Sequence, residues 1–127
     1  MRRQLAQCVH WIDLGQEHLE ALEAELLSDD LDGATQSFKS AWVAMMEPVR
    51  VLSRCWDGSF WEDWDQRDFV LDNIEEAQTL LLDAGPDDLR GILLALKELL
   101  HLNLMMLRNA LTLLTADLGL TATIGHE

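Results

Sequence analysis

Glu98 and His101 stand three residues apart in a helical stretch. At that spacing a glutamate and a histidine on one helix face ligate iron in the carboxylate centres of helical bundles. Such a centre needs two pairs of this kind and two further inward carboxylates. His10 has Gln7 three residues before it and His18 has Gly15, so no second pair exists and no metal or cofactor is expected. The run Ser28-Asp29-Asp30-Leu31-Asp32-Gly33 begins like a calcium loop, but its closing glutamate falls on Lys39 and its first ligand is Ser28. His18 has the setting of a phosphotransfer histidine on a bundle, yet Glu20 and Ala21 stand where a lysine and a glycine belong. Arg108-Asn109 lacks the histidine that a helical nuclease would place within a turn or two. No glycine-rich phosphate loop and no framed serine or cysteine nucleophile occurs. The chain is therefore expected not to be an enzyme.

Recognition is the other chemistry these residues offer. Trp56, Phe60, Trp61 and Trp64 fall close together, interleaved with Asp57, Glu62, Asp63 and Asp65. Tryptophan is enriched at binding hot spots, and acid-rimmed aromatic surfaces suit apolar or basic helices, so a partner-binding role is one expectation. The other is that these rings plug one end of a bundle. Phe60 and Trp61 point about 100° apart on a helix, so both do not fit at its centre.

The elements that must carry these residues follow from helical periodicity. Leu5, Val9, Ile12, Leu19, Leu22 and Leu26 share one face of a first helix from Arg2 to Leu27. Gly15 weakens its middle, and Ser28-Asp29-Asp30 ends it and caps the next. Leu31, Ala34, Phe38, Trp42, Met45, Val49, Leu52 and Trp56 form the second stripe, with Pro48 predicted to kink it near Ala44 to Pro48. Asp57-Gly58 breaks the pattern. Ser59 and Glu62 then have capping-box spacing and open a third helix to Ala84, with Trp64, Leu71, Ile74 and Leu81 inward. Gly85 is expected as a left-handed C-terminal residue and Pro86 as a stop. Asp87 and Asp88 fall in the first turn of a fourth helix reaching about Leu118, closed by Gly119.

Short connections make neighbouring helices antiparallel. The expected fold is all-α, an antiparallel up-down-up-down four-helix bundle over residues 1–118, followed by a frayed tail at 119–127. A length of 127 residues suits one domain, and an apolar share of 49% is too high for disorder. The formal charge of −14, from 23 Asp and Glu against 9 Lys and Arg, excludes a nucleic-acid binder by repulsion. The segment Ile92 to Leu107 holds Lys97, Glu98, His101 and Asn103, whose cost in lipid argues against a membrane span. No apolar signal segment follows Met1, and a cytoplasmic location is expected. Cys8 and Cys55 fit no metal spacing and read as reduced, buried small hydrophobes, with a disulfide left open by an antiparallel first pair.

The fourth helix is apolar round most of its circumference: Ile92, Leu99, Met106 and Leu113 form one row, with Ala95 and Leu102 widening it. Either the other helices cover it, or it leaves an apolar strip for a partner or a second copy of the chain. Asn103 interrupts an apolar row. It either fixes register from within the core, as a buried amide does in coiled coils, or faces solvent beside His101, which is the expectation.

The stretch Leu19-Glu20-Ala21-Leu22-Glu23-Ala24-Glu25-Leu26-Leu27-Ser28-Asp29-Asp30-Leu31-Asp32-Gly33, with Lys39 in the next helix, resembles the flagellar and type III export chaperones of the FlgN and FliT type. So does the close from Leu102-Asn103-Leu104 through Arg108-Asn109-Ala110-Leu111-Thr112-Leu113-Leu114. The Trp-rich Cys55 to Asp65 segment lies outside that pattern. The resemblance implies a cytosolic chaperone that holds an amphipathic helix of a secreted subunit in an apolar groove. On that reading Leu99, Leu102, Met106 and Leu113 line the groove, with Met105 adding adaptable contact; the partner-binding expectation for Trp56, Phe60, Trp61 and Trp64 rests on their own aromatic character and not on the resemblance. Two other readings stand beside it: an acidic mimic of nucleic acid that inhibits a basic protein, and an obligate homodimer paired through the fourth helix.

Overall fold

A computed structural model of the protein describes residues 2–54, 59–83, 85 and 87–117. The chain is all-α, with no strand among the described residues. Five helices follow in order: α1 Arg2–Leu27, α2 Leu31–Arg54, α3 Ser59–Asp63, α4 Arg67–Asp83 and α5 Leu89–Asp117. The expected tail at 119–127, Cys55 and the Asp57-Gly58 break lie outside the described residues. So do Pro86 and Gly119.

The turn between α1 and α2 is built from three polar residues. Asp30 N–H donates to the Glu25 carbonyl at 2.8 Å and Asp29 N–H to that of Leu26 at 3.3 Å, the paired bonds of a Schellman close. Asp29 takes the left-handed conformation, φ 61°, which aspartate tolerates better than most residues. Asp30 then caps α2, its Oδ1 accepting from Gly33 N–H at 3.0 Å. Gly33 leaves room there, because a Cβ would run into the Glu25 and Asp30 carboxylates. Gly85, expected as the left-handed C-terminal residue of a helix, is not in that region. Asp88 stands at the cap of α5 rather than inside its first turn, its carbonyl accepting from Ile92 N–H at 3.0 Å.

Contacts set the helix directions. Gly15 on α1 faces Ala41 on α2 and Leu104 on α5. Arg90, at the start of α5, donates to the Leu26 carbonyl at the end of α1, while Arg108 reaches back to Asp13 at 2.7 Å. Asn73 of α4 bonds Asn103, and Gln66, just before α4, bonds Asn109. Thus α5 runs antiparallel to α1 and to α4, and α1 antiparallel to α2. The most extensive packing is α1 on α2; α5 packs on α1, α2 and α4. The core is drawn from all of them, with Leu5, Ile12, Leu19, Phe38, Met45, Leu52, Val70, Leu93, Leu100 and Leu107 almost fully buried. Cys8 is buried among them. Pro48 is buried inside an unbroken α2, where its missing N–H leaves the Ala44 carbonyl without its usual donor.

One helix expected from Ser59 to Ala84 is two. The break at 64–66 has a geometric cause. At about 100° per residue, one continuous helix would set the Trp61 and Trp64 pair roughly 160° away from Val70, Asn73, Ile74 and Ala77. Both sets are buried, so the chain re-phases between them. The same shift leaves Leu71 40% exposed, where continuous periodicity from Trp64 had placed it inward. Arg67 holds the corner outside, donating to Glu62 at 2.6 Å and to Asp68. Those two hydrogen bonds, Glu62 first, push its pKa further up, so this cation is never titrated.

Candidate functional site

Helix α5 occupies the middle of the molecule. Its buried residues, including Leu93, Leu96, Leu100, Asn103, Leu107, Ala110 and Leu114, cover an arc of about 140° when laid out at 100° per residue. Three helices meet that arc, which answers the first half of the alternative posed by its apolar circumference. Part of its apolar surface also stays in reach of solvent. Next to the arc lies the row Ile92, Leu99, Met106 and Leu113, widened by Leu102. Ile92, Leu99 and Met106 are half-buried against the core, Leu102 is half-buried, and Leu113 is 46% exposed. By length and composition α5 is also apolar enough to cross a membrane, over Leu89–Ala116.

The expected binding residues divide into separate places. Leu99, Leu102, Met106 and Leu113 share the strip. Met105, exposed, lies about 100° round the helix from Met106 and borders a different cleft of about 310 Å³ with Gln16, Leu104 and Arg108. Trp61 and Trp64 are in the core, their ring centroids 5.9 Å apart; of the two expectations for these rings, they occupy the packed one. The Trp64 indole N–H is buried without an acceptor. Trp56 and the side chains of Phe60 and Ser59 lie outside the described residues, and with them the capping box.

Asn103 is 1% exposed, which overturns its expected place in solvent. Its angular position falls within the buried arc, and a partner meets it there. Asn73 Nδ2 donates to Asn103 Oδ1 at 2.8 Å, and Asn103 Nδ2 donates to the Val70 carbonyl at 3.2 Å. Asn73 was not singled out in the sequence; its signal was an amide inside the face made by Val70, Ile74 and Ala77.

The remaining chemical candidates sit at the surface. Glu98 and His101 are both exposed, and Glu98 has Lys97 at 3.7 Å. Among the described residues no group of three or more His, Cys, Asp or Glu is arranged to hold a metal ion. Arg108 is engaged by Asp13 and Asn109 by Gln66. Asp63, Asp65, Asp72, Glu75, Glu76 and Asp83 on α3, the corner and α4 are exposed and form no ion pair among the described residues.

No family model, no curated protein and no solved structure matches this chain.

Proposed function

We propose that this is a non-enzymatic binding protein of the cytoplasm, an export chaperone of the FlgN and FliT type that captures an amphipathic helix of a secreted subunit. In this reading the four long helices form an up-down-up-down bundle with α5 as its working element. The strip Leu99, Leu102, Met106 and Leu113 receives the apolar face of the partner helix, with anchors repeating at helical spacing. The observation that carries the reading is Leu113, 46% exposed at the end of a row whose other members pack on the core. A large apolar side chain continuing a core row into solvent is what a helix-binding groove requires. Methionine at 106 adapts to partner side chains at low cost.

The test joins a pull-down from native cell extract to two substitutions. The wild-type chain retains a subunit with an amphipathic terminal helix. Leu102→Glu with Met106→Glu loses that partner by more than about tenfold in affinity, the effect of placing charge in an apolar contact, with helicity by circular dichroism unchanged. Unfolding of the double variant would make the strip ordinary core and end the proposal.

One observation favours a second reading, the acidic inhibitor of a basic protein. The outer face of α4 carries Asp68, Asp72, Glu75, Glu76 and Asp83, all exposed, with Arg67 as its one base and already engaged. Partner retention that collapses with added salt, and survives the two glutamate substitutions, would favour this reading over helix capture.

A further inference from the structure

A wide, open cleft of about 370 Å³ lies between α1 and α2, with Lys39, Ser40 and Val43 exposed along it; its volume falls within the range of about 300–1,000 Å³ of small-molecule sites. Its lining sorts by polarity along the helix axes. Gly15 faces Ala41, and in that antiparallel register His18 stands beside Lys39 and Ser40 at one end. Trp11 and Leu14 stand beside Val43 at the other. Trp11 and His18 are seven residues apart, about 10 Å at 1.5 Å per residue.

Lys39 is exposed and, like Arg3 and Arg54, forms no ion pair among the described residues. Acids outnumber bases 23 to 9, and Arg50, Arg67, Arg90, Lys97 and Arg108 each have a carboxylate partner. Lys39 borders the cleft. An ammonium without a counter-ion, with an imidazole and a hydroxyl beside it, recognises a carboxylate through charge-assisted hydrogen bonds. Val43, 59% exposed, and the flanks of Trp11 and Leu14 recognise an apolar body. Acids more than about 8–10 Å away are screened at physiological salt, whereas Glu17, next to His18 in the chain and exposed, opposes an anion at that end.

We infer that the α1–α2 groove binds a small amphipathic carboxylate, an apolar chain or ring system about 10 Å long with its acid group at Lys39 and its body against Trp11 and Val43. The groove shares no residue with the α5 strip, so the inference is independent of the helix-capture reading.

Octanoate has the required length, and octanol and octylamine are controls of matching size. Titrated into the full chain by calorimetry, octanoate binds with a dissociation constant on the order of 0.1–1 mM, ordinary for a ligand of its size. It shifts the Trp11 indole N–H signal in nitrogen-15 NMR. The alcohol and the amine bind at least about tenfold more weakly, since neither offers a charged acceptor to Lys39. Lys39→Met, which keeps the aliphatic stem, brings octanoate down to the level of octanol. Arg54→Met removes the same charge from an exposed site elsewhere and leaves octanoate within about twofold, because exposed distant charges are screened. Equal affinity for acid and alcohol would overturn the assignment, as would equal loss in the two variants. So would shifts confined to residues of the α5 strip, or no binding at several millimolar.

Discussion

The Asn73–Asn103 pair is a hydrogen bond between buried side chains, and it ties α4 to α5. Its role is geometric more than energetic, since two amides in an apolar layer define a single register between the helices. Asn103→Ala strands the Asn73 amide and is expected to cost about 1–3 kcal/mol in urea unfolding. Replacing both residues with Leu leaves no unpaired group and should cost much less than the two single changes together. A cycle in which the single and double effects simply add would remove the pair as a register device. The glycine at 15 is decided at the same scale. A methyl there would sit 3.0 Å from Leu104 Cδ2, so what reads as a weak point in the α1 sequence is a place where a side chain of α5 packs closely against α1. The ion pairs Arg90–Asp29 and Arg108–Asp13 bridge α5 to α1 but are about half-exposed, and each contributes no more than about 1 kcal/mol.

The end of α1 and the start of α2 were legible, because capping is local chemistry. Arg2–Leu27 and the start of α2 follow from the apolar period and from Ser28, Asp29 and Asp30. Asp30→Ala removes the acceptor for Gly33 N–H and is expected to lower stability by about 0.5–2 kcal/mol, measured by thermal or urea unfolding; no change would mean that water replaces the cap at no cost. The break at 64–66 was not legible. Nothing in Trp64-Asp65-Gln66 is a helix breaker, and the capping-box spacing of Ser59 and Glu62 favoured one long element. The cause is tertiary: Trp61 with Trp64, and Val70 with Ile74, demand opposite faces of one helix and both are buried. Leu71 was drawn inward and Asn73 overlooked for that same reason, since a heptad count from Trp64 runs across the break.

At the scale of the whole molecule, none of the described carboxylates is buried, and the apolar core is drawn from all the helices. On the helix-capture reading the strip stays open to a partner, so the chain is expected to sediment as a monomer of 14.4 kDa at micromolar concentration. A dimer abolished by Leu102→Glu and Met106→Glu would instead make the strip a self-interface and favour the homodimer reading. The sequence by itself determined the all-α class, the span of the first helix, the start of the second and the apolar excess of the last, because periodicity and capping act over a few residues. It also placed Leu99, Met106 and Leu113 on one row with Leu102 beside it. Only the tertiary structure decided which part of that circumference is covered, that Trp61 and Trp64 are core, that Asn103 has a partner in Asn73, and that Met105 belongs to another cleft. Burial depends on which helices meet, and residues distant in sequence settle that through packing that no local pattern encodes.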